Sequence, residues 1–192
     1  MIILASSSPR RKELLGLLSL SFEVIPSHAD ETIEESLPPG EIVEELSFRK
    51  AREVLGAHPK ITEGIVIGSD TIVVLNERKL GKPSSPEEAE QMLHALQGGP
   101  HYVYSGIACL DAASGKEAVS HKRTRVYMKE LSAAQIRRYV ATGEPMDKAG
   151  AYAIQGRGAA LVDRIEGDYF NVVGMSVSLL ADMLGEFGIE IP

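Results

Sequence analysis

The chain has 192 residues, 44% of them hydrophobic and 24% charged, which suits one soluble domain with its own core. Its 27 acidic residues outnumber its 20 basic ones, for a formal charge of −7. That balance argues against long nucleic acids as partners, which need a basic footprint, but not against one small phosphorylated ligand. The single cysteine, Cys109, excludes an internal disulfide and a cysteine-based zinc site. It stands in the apolar run 106–110 and reads as a buried small hydrophobe. No stretch reaches the roughly 18 apolar residues that a membrane span requires. The opening MIILASSSPRRKE lacks the order of a signal peptide, so a cytoplasmic protein without membrane partners is expected.

Met1–Ala5 reads as a short buried strand. Ser8 and Pro9 open a helix as N-cap and first-turn residue, with Leu14, Leu15 and Leu18 on its apolar face. Phe22–Pro26 reads as a second strand and Gly40–Leu55 as a helix. Two β-branched runs, 65–67 and 72–75, flank Gly68-Ser69-Asp70-Thr71. Ser85 with Glu88 three positions on predicts a capping box, and Gly98-Gly99 ends that helix. Tyr102–Asp111 and Lys122–Tyr127 read as neighbouring strands. Ser132 with Gln135 opens another helix, which ends near Gly143. A strand near 159–164 and a helix near 176–187 follow. Strands mixed with helices throughout place the chain in the α/β or α+β class. Neither a repeat nor a linker is evident, so 1–192 reads as a single domain.

Five segments could carry chemistry. Ala5–Lys12 joins a strand to a helix start, where free N–H groups, the helix dipole, hydroxyls and two guanidiniums suit an anion. Spacing alone equally fits a capped helix start with surface basics. Asp70 between apolar runs fits a base, a metal ligand or an ordinary tight turn, and the local pattern favours the turn. Lys82, held between Gly81 and Pro83, could meet a phosphate, although most lysines are simply solvated. Residues 144–156 form a loop-like stretch of acids, small residues and a Gln155 able to read a base edge. Residues 169–175 read as an apolar lead-in to the last helix. The five histidines show no metal-binding spacing.

Taken in order, these segments resemble the Maf family of nucleoside triphosphate pyrophosphatases. The matching elements are L-A-S-S-S-P-R-R-K-E-L-L at 4–15, D-E at 30–31, R-K-A at 49–51, G-S-D-T at 68–71 and G-K-P at 81–83. E-P-M-D-K-A-G-A-Y-A-I-Q-G at 144–156 and N-V-V-G at 171–174 complete the set. The resemblance implies an α/β fold with an elongated mixed sheet flanked by helices, and two lobes around a cleft, similar to inosine triphosphate pyrophosphatases. It implies hydrolysis of the α–β phosphoanhydride with a divalent cation, Mg²⁺ or Mn²⁺. The A-Y-A-I-Q-G form resembles the group acting on dTTP and UTP. Asp70 is implied as proton acceptor, and Arg10, Thr71 and Gln155 as the residues that set substrate choice. Met175-Ser176 replaces the family's usual Leu-Pro.

On this basis Ser8, Arg10, Arg11, Lys50 and Lys82 are expected to neutralise the polyphosphate. Glu31 and Asp70 are expected to hold the metal, while Thr71 and Gln155 read the pyrimidine edge. A homodimer is expected by analogy. The alternatives are a 7-methyl-GTP pyrophosphatase of the same family and a non-catalytic nucleotide-binding regulator of septum formation.

Overall fold

The computed structural model describes residues 1–33 and 36–191. Among them, β1 (Ile2–Leu4), β2 (Glu23–Val24), β3 (Ile65–Leu75), β4 (Arg78–Leu80), β5 (Pro100–Asp111), β6 (Glu117–Met128) and β7 (Val162–Glu166) form one mixed sheet. Its order is β2-β1-β3-β5-β6-β7, with β4 on β3. The helices are α1 (Pro9–Gly16), α2 (Pro39–Ala57), α3 (Pro86–Leu96), α4 (Ala133–Val140), α5 (Tyr169–Val173) and α6 (Val177–Gly185). The α/β class and the helix-flanked mixed sheet agree with the expectation. The chain divides into two compact units, one of residues 1–71, 105–122 and 174–192, the other of residues 72–104 and 123–173.

In the first unit, β1 is parallel to both β2 and β3, with Leu4 opposite Val24 and Ile67. The chain leaves β1 to one side and returns on the other. That makes the carboxyl end of β1 a topological switch point, where open α/β sheets place ligands. Ile3, Ala5, Val66, Ala108 and Leu110 meet Ala51 and Val54 of α2 in its core.

Two glycines let α2 lie against the sheet. A Cβ on Gly68 would sit 2.0 Å from the Ser47 carbonyl oxygen, and one on Gly106 would sit 2.2 Å from that of Val43. Backbone cannot yield as a side-chain tip can, so a methyl group there must push the helix outward. Gly68→Ala should therefore destabilise the protein by about 1–3 kcal/mol, read as a lower denaturant midpoint with an unchanged slope. A midpoint equal to the parent's would show that α2 does not depend on this contact.

In the second unit, β4 is antiparallel to β3 and β7 antiparallel to β6, the latter with an irregularity at Tyr127/Met128. Leu93, Leu96, Val126, Ile136 and Tyr152 are buried in its core.

Several elements differ from the sequence reading. Residues 68–71 are no turn: β3 runs unbroken through them, with Gly68, Ser69 and Asp70 buried. A break was expected because glycine, serine and aspartate are poor strand formers, but here partners from α2 and elsewhere satisfy them. The second strand shrinks to Glu23–Val24. Residues 144–156 are not an open loop but enter successive 3-10 turns, at Glu144–Asp147, Ala149–Ala151 and Gly156–Leu161. The last of these also displaces the strand expected near 159–164 to Val162–Glu166. Residues 169–173 are a helical turn of their own. Ser85 does cap α3, but the Glu88 carboxylate takes the N–H and hydroxyl of Ser84 rather than the N–H of Ser85. The capping box expected of Ser132 and Gln135 is present in full. Ser176 caps α6 in the place of the family's usual proline. Cys109 is buried, and burial pushes its thiol up to about 12, so it holds no thiolate at neutral pH.

Candidate active site

The site begins where β1 ends. Ser8 caps α1, its hydroxyl accepting from the Arg11 N–H at 3.5 Å. The Ser6 hydroxyl accepts from the Ser8 N–H at 3.2 Å and from Arg11 Nη1 at 3.4 Å. The first turn of α1 carries Arg10, Arg11 and Lys12 and no acid. Positive charge at the positive end of a helix dipole disfavours the helix and favours an anion.

Arg11 is the hub of this corner. Its Nε donates to the Gly174 carbonyl at 3.1 Å and its Nη2 to the Thr71 hydroxyl at 3.1 Å. Burial lowers its pKa; Asp70 and Glu31 oppose that shift, while Arg10 adds to it. The four charges thus share one electrostatic neighbourhood.

Thr71 Oγ1 also lies 3.0 Å from the Gly174 carbonyl, to which it donates, and 2.8 Å from Ser105 Oγ. Its donor and both acceptor positions are thereby used. Ser69 donates to the same Gly174 carbonyl at 3.3 Å. Gly174 has φ +142, a conformation that L side chains rarely adopt, and its carbonyl accepts from three donors. Ser6, Ser69 and Gly174 lie inside motifs quoted from the sequence but were given no role of their own, and Ser105 was not singled out at all.

Asp70 projects from the middle of β3 and is 8% exposed. Lys50, on α2, places its Nζ 2.5 Å from Asp70 Oδ1 and 2.7 Å from Glu31 Oε1. One ammonium therefore bridges both carboxylates expected to hold the metal. Lys50 was expected on the polyphosphate, and it is engaged by acids in this structure. A buried carboxylate is tolerable only with such a partner.

Ser8, Arg10, Arg11, Glu31, Lys50, Asp70 and Thr71 all belong to the first unit, whereas Lys82 and Gln155 belong to the second. Lys82 is exposed between β4 and α3. Its neighbour Gly81 accepts at its carbonyl from the Gly150 N–H at 3.0 Å, which ties this corner to the 144–156 segment. Gln155 is half-buried and precedes the Gly156–Leu161 turn. The buried Asn171 anchors α5 through bonds from its Nδ2 to the Val103 carbonyl and Thr124 Oγ1.

The family model of Maf-like proteins matches residues 1–187. The chain belongs to the Maf family. Proteins to which it is similar include the dTTP/UTP pyrophosphatase of Pelotomaculum thermopropionicum, 54% identical over 99% of this chain and 98% of that protein. The dTTP/UTP pyrophosphatase of Desulforamulus reducens is 54% identical over the same shares of both chains. That of Moorella thermoacetica is 50% identical over 99% of this chain and 96% of its own. These full-length similarities cover every Maf motif described above. Among the described residues, no helix is long and apolar enough to cross a membrane.

Proposed function

We propose that this protein hydrolyses dTTP and UTP to the nucleoside monophosphate and pyrophosphate, acting in the cytoplasm as one 1–192 domain with a house-cleaning role toward nucleotides. The observation that carries the reading is the Lys50 ammonium bridging the buried Asp70 to the exposed Glu31, beside the basic start of α1. Full-length similarity to proteins named dTTP/UTP pyrophosphatase supplies the substrate.

The chemistry is mainly positioning and electrostatics. Ser8, Arg10, Arg11 and the N–H groups of α1 receive phosphate oxygens. Arg11 is held in orientation by Ser6, Thr71 and Gly174, so its fork is fixed before substrate arrives. Thr71 acts on the substrate through Arg11, since its own hydroxyl is fully engaged. Asp70 accepts the proton of the attacking water. Lys82 is assigned to the polyphosphate and Gln155 to the base edge by their residue chemistry.

The donor set fits a divalent ion: Asp70 and Glu31 converge on one cation, the Lys50 ammonium, and Mg²⁺ is commonly held by one or two carboxylates plus substrate phosphates. Glu31 and Asp70 would hold Mg²⁺ or Mn²⁺, which supplies charge neutralisation and a more acidic water. With the two carboxylates holding such an ion, the Lys50 ammonium would be left to pair with phosphate. Assembly as a homodimer belongs to the same proposal.

Product analysis tests the bond cleaved. UTP should yield UMP and pyrophosphate; UDP and orthophosphate would overturn the assignment. Gln155→Glu replaces a donor-acceptor pair with an acceptor-only group. It should lower kcat/KM for UTP and dTTP by about 10–100-fold, since a site built to hydrogen-bond its substrate discriminates strongly. Equal rates for both proteins would remove Gln155 from base reading.

A further inference from the structure

The segment carrying Gln155 is gripped on both sides by two residues that no catalytic role uses. Tyr139 lies on α4 and Glu144 follows it after Gly143. Tyr139 Oη donates to Glu144 Oε1 at 2.9 Å and accepts from the Ala153 N–H at 3.2 Å. Glu144 Oε1 also accepts from the Gly158 N–H at 2.9 Å, and Oε2 from the Arg157 N–H at 3.0 Å. Residues 153, 157 and 158 are therefore tied to one phenol–carboxylate pair, with Gln155 between them.

The packing around the pair leaves no slack. Gly158 is buried, and a Cβ there would lie 2.2 Å from the Ala153 carbonyl oxygen and 2.6 Å from Tyr139 Oη. Gly156 has φ +62, and a Cβ on it would lie 2.8 Å from Glu144 Oε2. Lys148 Nζ donates to the Glu144 carbonyl at 2.6 Å and fixes the start of the segment. Burial tends to raise the Glu144 pKa, but the Gly158 and Arg157 N–H groups and the Tyr139 hydroxyl outweigh it. The carboxylate is thus charged across the neutral range and strengthens each bond it accepts.

We infer that Tyr139 and Glu144 are positioning residues that set base selection by fixing the backbone turn that presents Gln155. This deepens the proposed function and rests on Gln155 reading the base. A side chain that discriminates bases by hydrogen bonds must be held within a fraction of an ångström of its place. The clamp supplies that restraint without touching the nucleotide. Loosening it should therefore erode discrimination more than chemistry.

The test compares Tyr139→Phe and Glu144→Gln, each also combined with Gln155→Ala, by steady-state kinetics on UTP and GTP. Thermal melts verify that each variant is folded at the assay temperature. Each single variant should raise KM for UTP more than it lowers kcat, and should reduce the UTP-over-GTP ratio of kcat/KM by about tenfold. On the Gln155→Ala background neither change should reduce that ratio further, because the group being positioned is gone. Equal losses on UTP and GTP, or losses that repeat in full on Gln155→Ala, would mean a merely structural pair and overturn the inference. If Gln155→Ala itself leaves the ratio unchanged, the assignment of Gln155 fails first, and the inference with it.

Discussion

Replacing Asp70 with asparagine should lower pyrophosphate release from UTP by about 10²–10⁴-fold, the contribution typical of a positioned general base. Asparagine has the same shape, and its Oδ1 can still accept from Lys50, so the buried bridge keeps one hydrogen bond. What it lacks is the negative charge that the proposed mechanism uses to draw a proton from water and to help hold a divalent ion. Nucleotide binding should be partly retained, because the basic start of α1 is untouched. Rapid-mixing turnover assays and equilibrium titration with UTP separate the two effects. Unchanged turnover would remove Asp70 from the chemistry. Lost turnover with complete loss of binding would make it chiefly a binding residue.

The second large effect is expected at Arg11. Arg11→Lys keeps the charge but replaces a planar fork with a single ammonium. The parent guanidinium makes three directed bonds, to Ser6, Thr71 and the Gly174 carbonyl. A lysine cannot satisfy all three at once. At ordinary net hydrogen-bond values the loss amounts to about 2 kcal/mol of stability. Activity should fall further, by about 100-fold in kcat/KM, because the corner proposed to bind phosphate loses its fixed geometry. Denaturant unfolding and steady-state kinetics on the same preparation check both. A stable, active lysine variant would mean that charge alone matters here.

The two variants probe parts of the site that were unequally legible in the sequence. Ser8 and Pro9 announced the start of α1, and Ser132 with Gln135 announced α4, because capping chemistry is local. The buried strand residues of β1 and the two flanks of β3 were legible from their β-branched runs. Residues 68–71 were not, because what keeps them in a strand lies far away. Lys50 neutralises Asp70, and the backbone of α2 fits only against glycine at position 68. Long-range partners overrode local propensity. The same applies to Gly174, whose carbonyl gathers Arg11, Thr71 and Ser69 from more than a hundred residues earlier. No spacing rule links such positions. The ordered motif set compensated by marking Arg11, Asp70, Thr71 and Gln155 together. It did not reveal that Lys50 bridges the two acids, or that Tyr139 and Glu144 grip the turn around Gln155.

Substrate choice and catalysis meet in one assay. The purified full-length chain is incubated with UTP, dTTP, 7-methyl-GTP and ITP in turn, each with Mg²⁺ or Mn²⁺, and pyrophosphate is measured. Release should be fastest from UTP and dTTP and should disappear when the divalent ion is chelated. Release from 7-methyl-GTP alone would assign the chain to another activity of the Maf family, and no release from any nucleotide would contradict the enzymatic reading altogether.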